Sequence, residues 1–170
     1  MFVAQCQRGD VGGYRRVLEE AIRSKLFKWI GVCRNSCFNA FGQYTHTIDE
    51  AINKLYFGIW AEHEGILELA RKKGVRFHLL GIGGNIGMLK YLWWVDRADT
   101  ASLFYQATLG EKVSPCGMLS EAVSRPPDYF QRNFGADHTW RAVLVHNCYE
   151  AQKYTTAAKR LRYDILKERI

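Results

Sequence analysis

Proline is scarce in this chain. Its three copies, Pro115, Pro126 and Pro127, fall in one stretch, so residues 1–114 carry none. No apolar run reaches the roughly 20 residues that a membrane span needs. The opening Met1–Cys6 segment lacks the basic head and long apolar stretch of a secretion signal. The five cysteines, Cys6, Cys33, Cys37, Cys116 and Cys148, are odd in number and irregularly spaced, which argues against a disulfide framework. Reduced thiols in a cytoplasmic setting are therefore expected. Cys33-x3-Cys37 opens a metal-ligand spacing, but no second close pair completes it, so no cofactor is expected and structural zinc is not favoured. Internal repeats and low-complexity segments are also missing.

What is present is a folded, basic protein. Hydrophobic residues make up 48% and aromatics 14% of 170 residues, enough to bury a core within one domain. Lys and Arg number 24 against 17 Asp and Glu, a net charge of +7. That balance favours a polyanionic partner, since neutralised phosphates release their counterions. The plainer alternative is charge spread over solvated faces.

Residues 1–100 alternate between strand and helix patterns. Phe2–Cys6 reads as a strand with no lead-in, as if the chain started within a fold. Tyr14, Val17, Leu18, Ala21 and Ile22 then repeat at helical spacing behind Gly12-Gly13. Phe27–Cys33 is a second strand, ending in a polar loop through Arg34, Asn35 and Ser36. Thr47 with Glu50 forms a capping box for a helical region running to Ala70, with Gly58 as a break. Arg71-Lys72-Lys73-Gly74 supplies a basic last turn and a glycine cap. Arg76–Ile82, a helix over Ile86–Leu92 and a strand over Trp93–Ala98 complete four βα units. Such alternation implies parallel strands with right-handed crossovers. An α/β half-barrel over residues 1–109 and an open four-stranded sheet both fit. Residues 110–170 read as a loop-rich segment followed by a basic helical appendage from His138 onward, packed on the same domain.

Parallel sheets collect chemistry at the carboxyl ends of their strands. Asp99 continues directly from the fourth strand and is the first candidate for a reactive carboxylate. Asp96 is the second, with helix capping or pairing to Arg97 as the structural alternatives. The loop Gly81-Ile82-Gly83-Gly84-Asn85-Ile86-Gly87 approximates a dinucleotide fingerprint, but Ile86 stands where Gly-x-Gly-x-x-Gly requires glycine. These glycines read better as a tight turn or a close approach to a flat ligand. Gln5, ending the first strand, can hydrogen-bond a base edge or an amide. His146 reads as a packing residue, and His78, inside the third strand, has no assigned role.

Taken in order, Phe2-Val3-Ala4-Gln5, Trp29-Ile30-Gly31-Val32, His78-Leu79-Leu80-Gly81-Ile82-Gly83, Val95-Asp96-Arg97-Ala98-Asp99 and His146-Asn147 resemble the carboxyl-terminal half of the tRNA and DNA guanine transglycosylases. The resemblance spans nearly the whole chain and rests on order and spacing, since each motif is short. It implies strands five to eight of a β/α barrel. Asp99 matches the aspartate that attacks ribose C1′, expels guanine and holds the sugar covalently until a 7-deazaguanine base replaces it. Gln5 matches the reader of the guanine-like edge. Gly31, Val32 and Cys33 match a loop whose backbone contacts the base. Leu80, followed by Gly81, matches the apolar residue on the base face.

The resemblance also implies a second, acid-base aspartate from the other half of the barrel, so a partner chain or oligomer is expected. Of the family's zinc set only His146 and Cys116 have counterparts. The family's Pro-Thr-Arg after the nucleophile is here Ala101-Ser102-Leu103-Phe104. These departures imply a divergent relative, with DNA favoured over tRNA as substrate. The rival expectations are a non-catalytic nucleic-acid-binding or scaffold subunit and, further off, a small-molecule lyase or isomerase.

Overall fold

The computed structural model describes residues 1–33, 40–41, 47–82, 85–117, 135 and 138–168. The expected polar loop at Arg34–Ser36, Cys37, Gly83-Gly84, Pro126-Pro127 and the Thr47/Glu50 capping side chains lie outside that description. The protein is mixed α/β and divides into two compact units, residues 1–81 with 92–99, and residues 82–91 with 100–170.

The first unit holds a four-stranded sheet in the order β1-β2-β3-β4, every neighbouring pair parallel. The strands are β1 (Phe2–Val3), β2 (Trp29–Cys33), β3 (Arg76–Leu80) and β4 (Arg97–Ala98). Among the described residues, α1 (Val11–Ser24) lies between β1 and β2, and α2 (Thr47–His63) and α3 (Ile66–Lys73) lie between β2 and β3. At the start of α1, the Asp10 carboxylate accepts the Gly13 N–H at 2.7 Å, satisfying a donor that the helix leaves open. The α3 helix stops where the sequence places its cap, at Gly74 with φ +69°.

Burial alternates along β3, whereas in β2 Gly31 is buried together with Ile30 and Val32 on either side of it. Ile30, Val32, Phe77 and Leu79 are buried, as are Tyr14, Leu18 and Ile22 of α1, Phe57 and Trp60 of α2, and Ile66 and Leu67 of α3. Phe57 links the layers, 6.0 Å from the Phe77 ring and 4.7 Å from Trp94. The alternate residues Trp29, Cys33, His78 and Leu80 are half-buried, while Arg76 and Arg97 are exposed. One face of the sheet therefore carries the apolar core and the other a polar, aromatic surface.

Several elements depart from the sequence reading, beginning with β1, which ends at Val3 rather than at Cys6. The helical region does not break at Gly58. It runs through to His63 and turns at Gly65, whose φ is +73°. Gly58 instead makes room for an indole, since a methyl there would overlap Trp94. The fourth strand is shorter than expected because Trp94 turns into the core, donating its indole N–H to the Lys54 carbonyl at 3.1 Å. Asp96 then joins the strands: its carboxylate accepts the Phe77 N–H at 2.9 Å, and its own N–H donates to the Phe77 carbonyl at 3.0 Å. The segment Ile86–Tyr91 is a 3-10 helix rather than an α-helix. It belongs to the second unit, where the Gly87 N–H donates to the Gly117 carbonyl at 2.9 Å.

The second unit also contains α4 (Ser102–Thr108) and α5 (Thr139–Lys167). Asn147 is fully buried and secures the unit. Its side-chain oxygen accepts the Val113 N–H at 2.8 Å, and its amide donates to the carbonyls of Glu111 at 3.0 Å and Leu103 at 3.4 Å. A buried amide with all these partners is a structural group, expensive to replace. No helix among the described residues is long and apolar enough to cross a membrane.

Gly58→Ala tests the packing of the first unit. Forcing Trp94 aside is expected to cost about 1–3 kcal/mol, read as a lower midpoint in thermal or urea unfolding. An unchanged midpoint would show that the indole moves freely.

Candidate functional site

The register of the sheet assembles the site. Val3 pairs with Gly31, Cys33 with Leu80, and Leu79 with Ala98. Extending each strand toward its carboxyl end puts Gln5, Cys33, Leu80 and Asp99 at one level, on the face away from the core. Four residues far apart in sequence thus share one edge of the sheet.

Their contacts follow from this level. The Gln5 amide donates to the Cys33 sulfur at 3.6 Å. Gly31 lies one row below, where a Cβ would sit 3.0 Å from the Val3 methyl and 3.1 Å from Leu80. Its missing side chain lets those two apolar groups close over the strand. Gly31, Val32 and Cys33 all lie within β2, and Val32 is buried on the core side, so it offers the site no side chain.

Asp99 is anchored through the backbone. Its N–H donates to the Leu79 carbonyl at 3.2 Å, continuing the ladder past β4. Its carboxylate accepts the Gly81 N–H at 2.7 Å. That amide faces the carboxylate because Gly81 has φ +68°, a left-handed conformation that glycine enters without steric cost. The Gly81 carbonyl in turn accepts from the Lys54 ammonium at 3.0 Å. Lys54 is only 1% exposed, so a buried cation on α2 fixes the turn that presents the nucleophile candidate. Asp99 itself keeps 59% of its side chain in solvent.

His78 is the residue the sequence reading passed over. Its Nε2 lies 3.5 Å from the Asp99 carboxylate, within ion-pair range when the ring is protonated. The Trp29 ring meets His78 edge-on at 6.5 Å, and the Arg97 guanidinium lies 4.7 Å from the centre of Trp29. The available signal was alternation: His78 stands two residues before Leu80 and must share its face. Asp96, by contrast, sits at the other end of β4 with its carboxylate on the Phe77 amide, which makes it a structural residue.

Cys6, next to Gln5, is a poor thiolate. Burial, and then the nearby Asp10 charge, push its thiol pKa up. His146 and Cys116 lie in the second unit, where the Cys116 sulfur is 3.0 Å from the Ser114 hydroxyl. Among the described residues, no three His, Cys, Asp or Glu side chains form a metal-holding group.

The fold and site define a parallel α/β protein with an exposed carboxylate at a strand end, beside an amide, a histidine and a small apolar surface. Comparison with protein-family models, curated proteins and solved structures returned no match.

Four substitutions test the anchoring. Asp99→Asn retains an acceptor for the Gly81 N–H and is expected to change stability by less than about 0.5 kcal/mol, whereas Asp99→Ala loses about 0.5–1.5 kcal/mol. At Gly81 no atom lies within 4 Å of an added Cβ, so the cost of alanine is conformational. Gly81→Ala should lose about 1–2 kcal/mol and Gly81→Asn less, because asparagine tolerates the left-handed region. Chemical denaturation of the four variants checks this order.

Proposed function

We propose that the chain is a divergent guanine transglycosylase-like protein that exchanges guanine for a 7-deazaguanine base in a nucleic acid, with DNA the favoured substrate. The observation that supports this reading most is the common level of Gln5, Cys33, Leu80 and Asp99 at the carboxyl ends of parallel strands. Gln5 supplies a hydrogen-bonding edge, Leu80 an apolar surface for a planar base, and Asp99 a carboxylate nucleophile.

In the proposed reaction an Asp99 oxygen bonds to the sugar C1′ of the target nucleotide while the C1′–N9 bond breaks. The bonding electron pair leaves with guanine, which takes up a proton. The incoming 7-deazaguanine gives up its N9 proton, attacks C1′ and releases the carboxylate, so protons and charge balance over the cycle. A covalent intermediate divides one hard displacement into two easier ones. Extruding the target base costs a few kcal/mol of stacking, offset by contacts with the base edge and face. The His78 imidazole orients the Asp99 carboxylate, and the Gly81 amide steadies its charge before the attack and again after the carboxylate is released.

The proposal includes a β/α half-barrel completed by a partner chain or a second copy, which would supply the proton carrier. A sheet with one core face and one polar face is suited to that arrangement, because an inner face needs groups that meet across a closed barrel. The free strand edges also need pairing or cover.

A second reading, a non-catalytic nucleic-acid-binding subunit, draws on the 59% exposure of the Asp99 side chain. A nucleophile shielded from water would be better protected against loss of its intermediate.

One experiment separates the two. The full chain, together with any chain that co-purifies with it, is incubated with guanine-containing single-stranded DNA or with tRNA, then denatured and run on a gel for covalent adducts. A band with wild type and none with Asp99→Asn is expected. An adduct that persists in Asp99→Asn overturns the nucleophile assignment, and binding without any adduct favours the second reading.

A further inference from the structure

The charge of this protein is concentrated on one element. Across Thr139–Lys167, α5 carries Arg141, Lys153, Lys159, Arg160, Arg162 and Lys167 against Glu150 and Asp164, so 6 − 2 = +4 of the total +7 lies on it. The helix is not a bare solvated rod. Two clefts open along it and share Lys153. One, about 380 Å³, is lined by Tyr149, Gln152, Lys153, Thr156, Ala157 and Arg160. The other, about 730 Å³, includes Lys112, Ser114, His146, Lys153 and Tyr154.

These linings combine three kinds of group. Lys112, Lys153 and Arg160 are cations, and Ser114, Gln152, Thr156 and His146 are hydrogen-bonding groups. Tyr149 is 60% exposed and leaves a ring open to stacking, with the Lys153 ammonium 4.9 Å from its centre. Among the described residues of the two linings Glu150 is the one carboxylate, and it pairs with Lys153 at 2.6 Å. That pair holds the shared lysine at the junction of the clefts. Tyr154 is fixed by donating its hydroxyl to the Pro115 carbonyl at 2.9 Å.

We propose that the paired clefts along α5 form a tract for the phosphodiester backbone of a single-stranded nucleic acid, with Lys112, Lys153 and Arg160 on phosphates and Tyr149 stacking on a base. Cations spaced along a groove with an exposed aromatic ring are what a single strand needs: charge that follows the backbone and a platform that accepts any base. A run of carboxylates on a protein segment would meet the cations but leave the tyrosine ring without the planar base that every nucleotide brings. An anionic membrane would meet a helix without the broad apolar face that surface insertion requires. The inference rests on the nucleic-acid side of the function proposed above and is independent of its chemistry. A strand bound at α5 without base exchange would refute only the chemistry.

The test is fluorescence anisotropy of a labelled 20-nucleotide single-stranded DNA with the full chain, over a salt series. Lys112→Gln/Lys153→Gln/Arg160→Gln is expected to weaken binding at least tenfold at 0.1 M salt and to flatten the salt dependence by about two to three ion equivalents. Tyr149→Ala should weaken binding about fivefold or more with the salt slope unchanged, because stacking releases no ions. A control triple, Arg71→Gln/Lys72→Gln/Lys73→Gln, removes the same charge from α3 and should change affinity less than threefold. Far-UV circular dichroism and hydrogen exchange confirm that each variant is folded, and slowed exchange over 146–160 on adding DNA locates the strand. Equal losses from both triples, no effect of Tyr149→Ala, or tighter binding to polyglutamate or to phosphatidylserine vesicles than to DNA would each overturn the proposal.

Discussion

The first unit depends on one peptide turn. Gly81 takes a left-handed conformation at the end of β3 and thereby aims its two polar groups apart, its N–H at Asp99 and its carbonyl at the buried Lys54 ammonium. Lys54 is held by its place in α2, where its own carbonyl accepts the Trp94 indole. Trp94 reaches that position because Gly58 lacks a side chain to obstruct it. An apolar packing detail, a buried cation and an exposed carboxylate are thus linked in sequence. The network matters because a hydrogen-bonded group in a dry surrounding fixes geometry better than one in water.

That linkage explains how an exposed carboxylate can be well placed. An aspartate on a loop would sample many positions. Asp99 instead continues the parallel ladder through its backbone and is held again through its side chain, so only modest freedom remains. The polar face below it is equally organised. Trp29 is flanked by the Arg97 and Arg76 guanidiniums at 4.7 and 5.6 Å, and its edge contact with His78 leaves the imidazole beside Asp99. Stacked guanidiniums keep most of their hydration while covering the indole, an arrangement suited to a surface that is polar yet ordered.

Much of this was legible from the residues. Strand ends can be read from apolar runs and breakers, so the carboxyl-end position of Asp99 and the cap at Gly74 follow from local pattern. Parallel topology follows from alternation of strand and helix. What local pattern cannot carry is the contact between distant residues. Gly58 looked like a helix break because glycine weakens helices, yet the deciding fact was an indole arriving from residue 94. Lys54 reads as an ordinary polar residue of an amphipathic helix, and only the turn at Gly81 explains its burial. Trp93-Trp94 looked like strand because aromatics favour sheets, while the core claimed one of the rings and shortened β4. His78 was undervalued for a different reason. Its face was implied by the period of two, but its partner Asp99 lies just past a different strand, β4.

The second unit shows the same separation between local signal and tertiary cause. The basic character of α5 is visible in the sequence, and so is His146-Asn147. The pair nevertheless divides in two: Asn147 is buried among backbone partners, while His146 lines an open cleft with Lys112 and Lys153. Adjacent helical residues lie about 100° apart, so one can secure a loop while its neighbour faces solvent. The loop that Asn147 secures, Glu111–Val113, includes Lys112, whose side chain lines the cleft. The buried amide therefore sets the backbone from which that cation projects. In nucleic-acid recognition, phosphate contacts set position and register, while other groups read or alter the base. On the function and the tract proposed above, those two tasks would fall to different units, the cations of one helix and the carboxylate of one strand end, each secured by its own buried polar residue, Asn147 in one and Lys54 in the other.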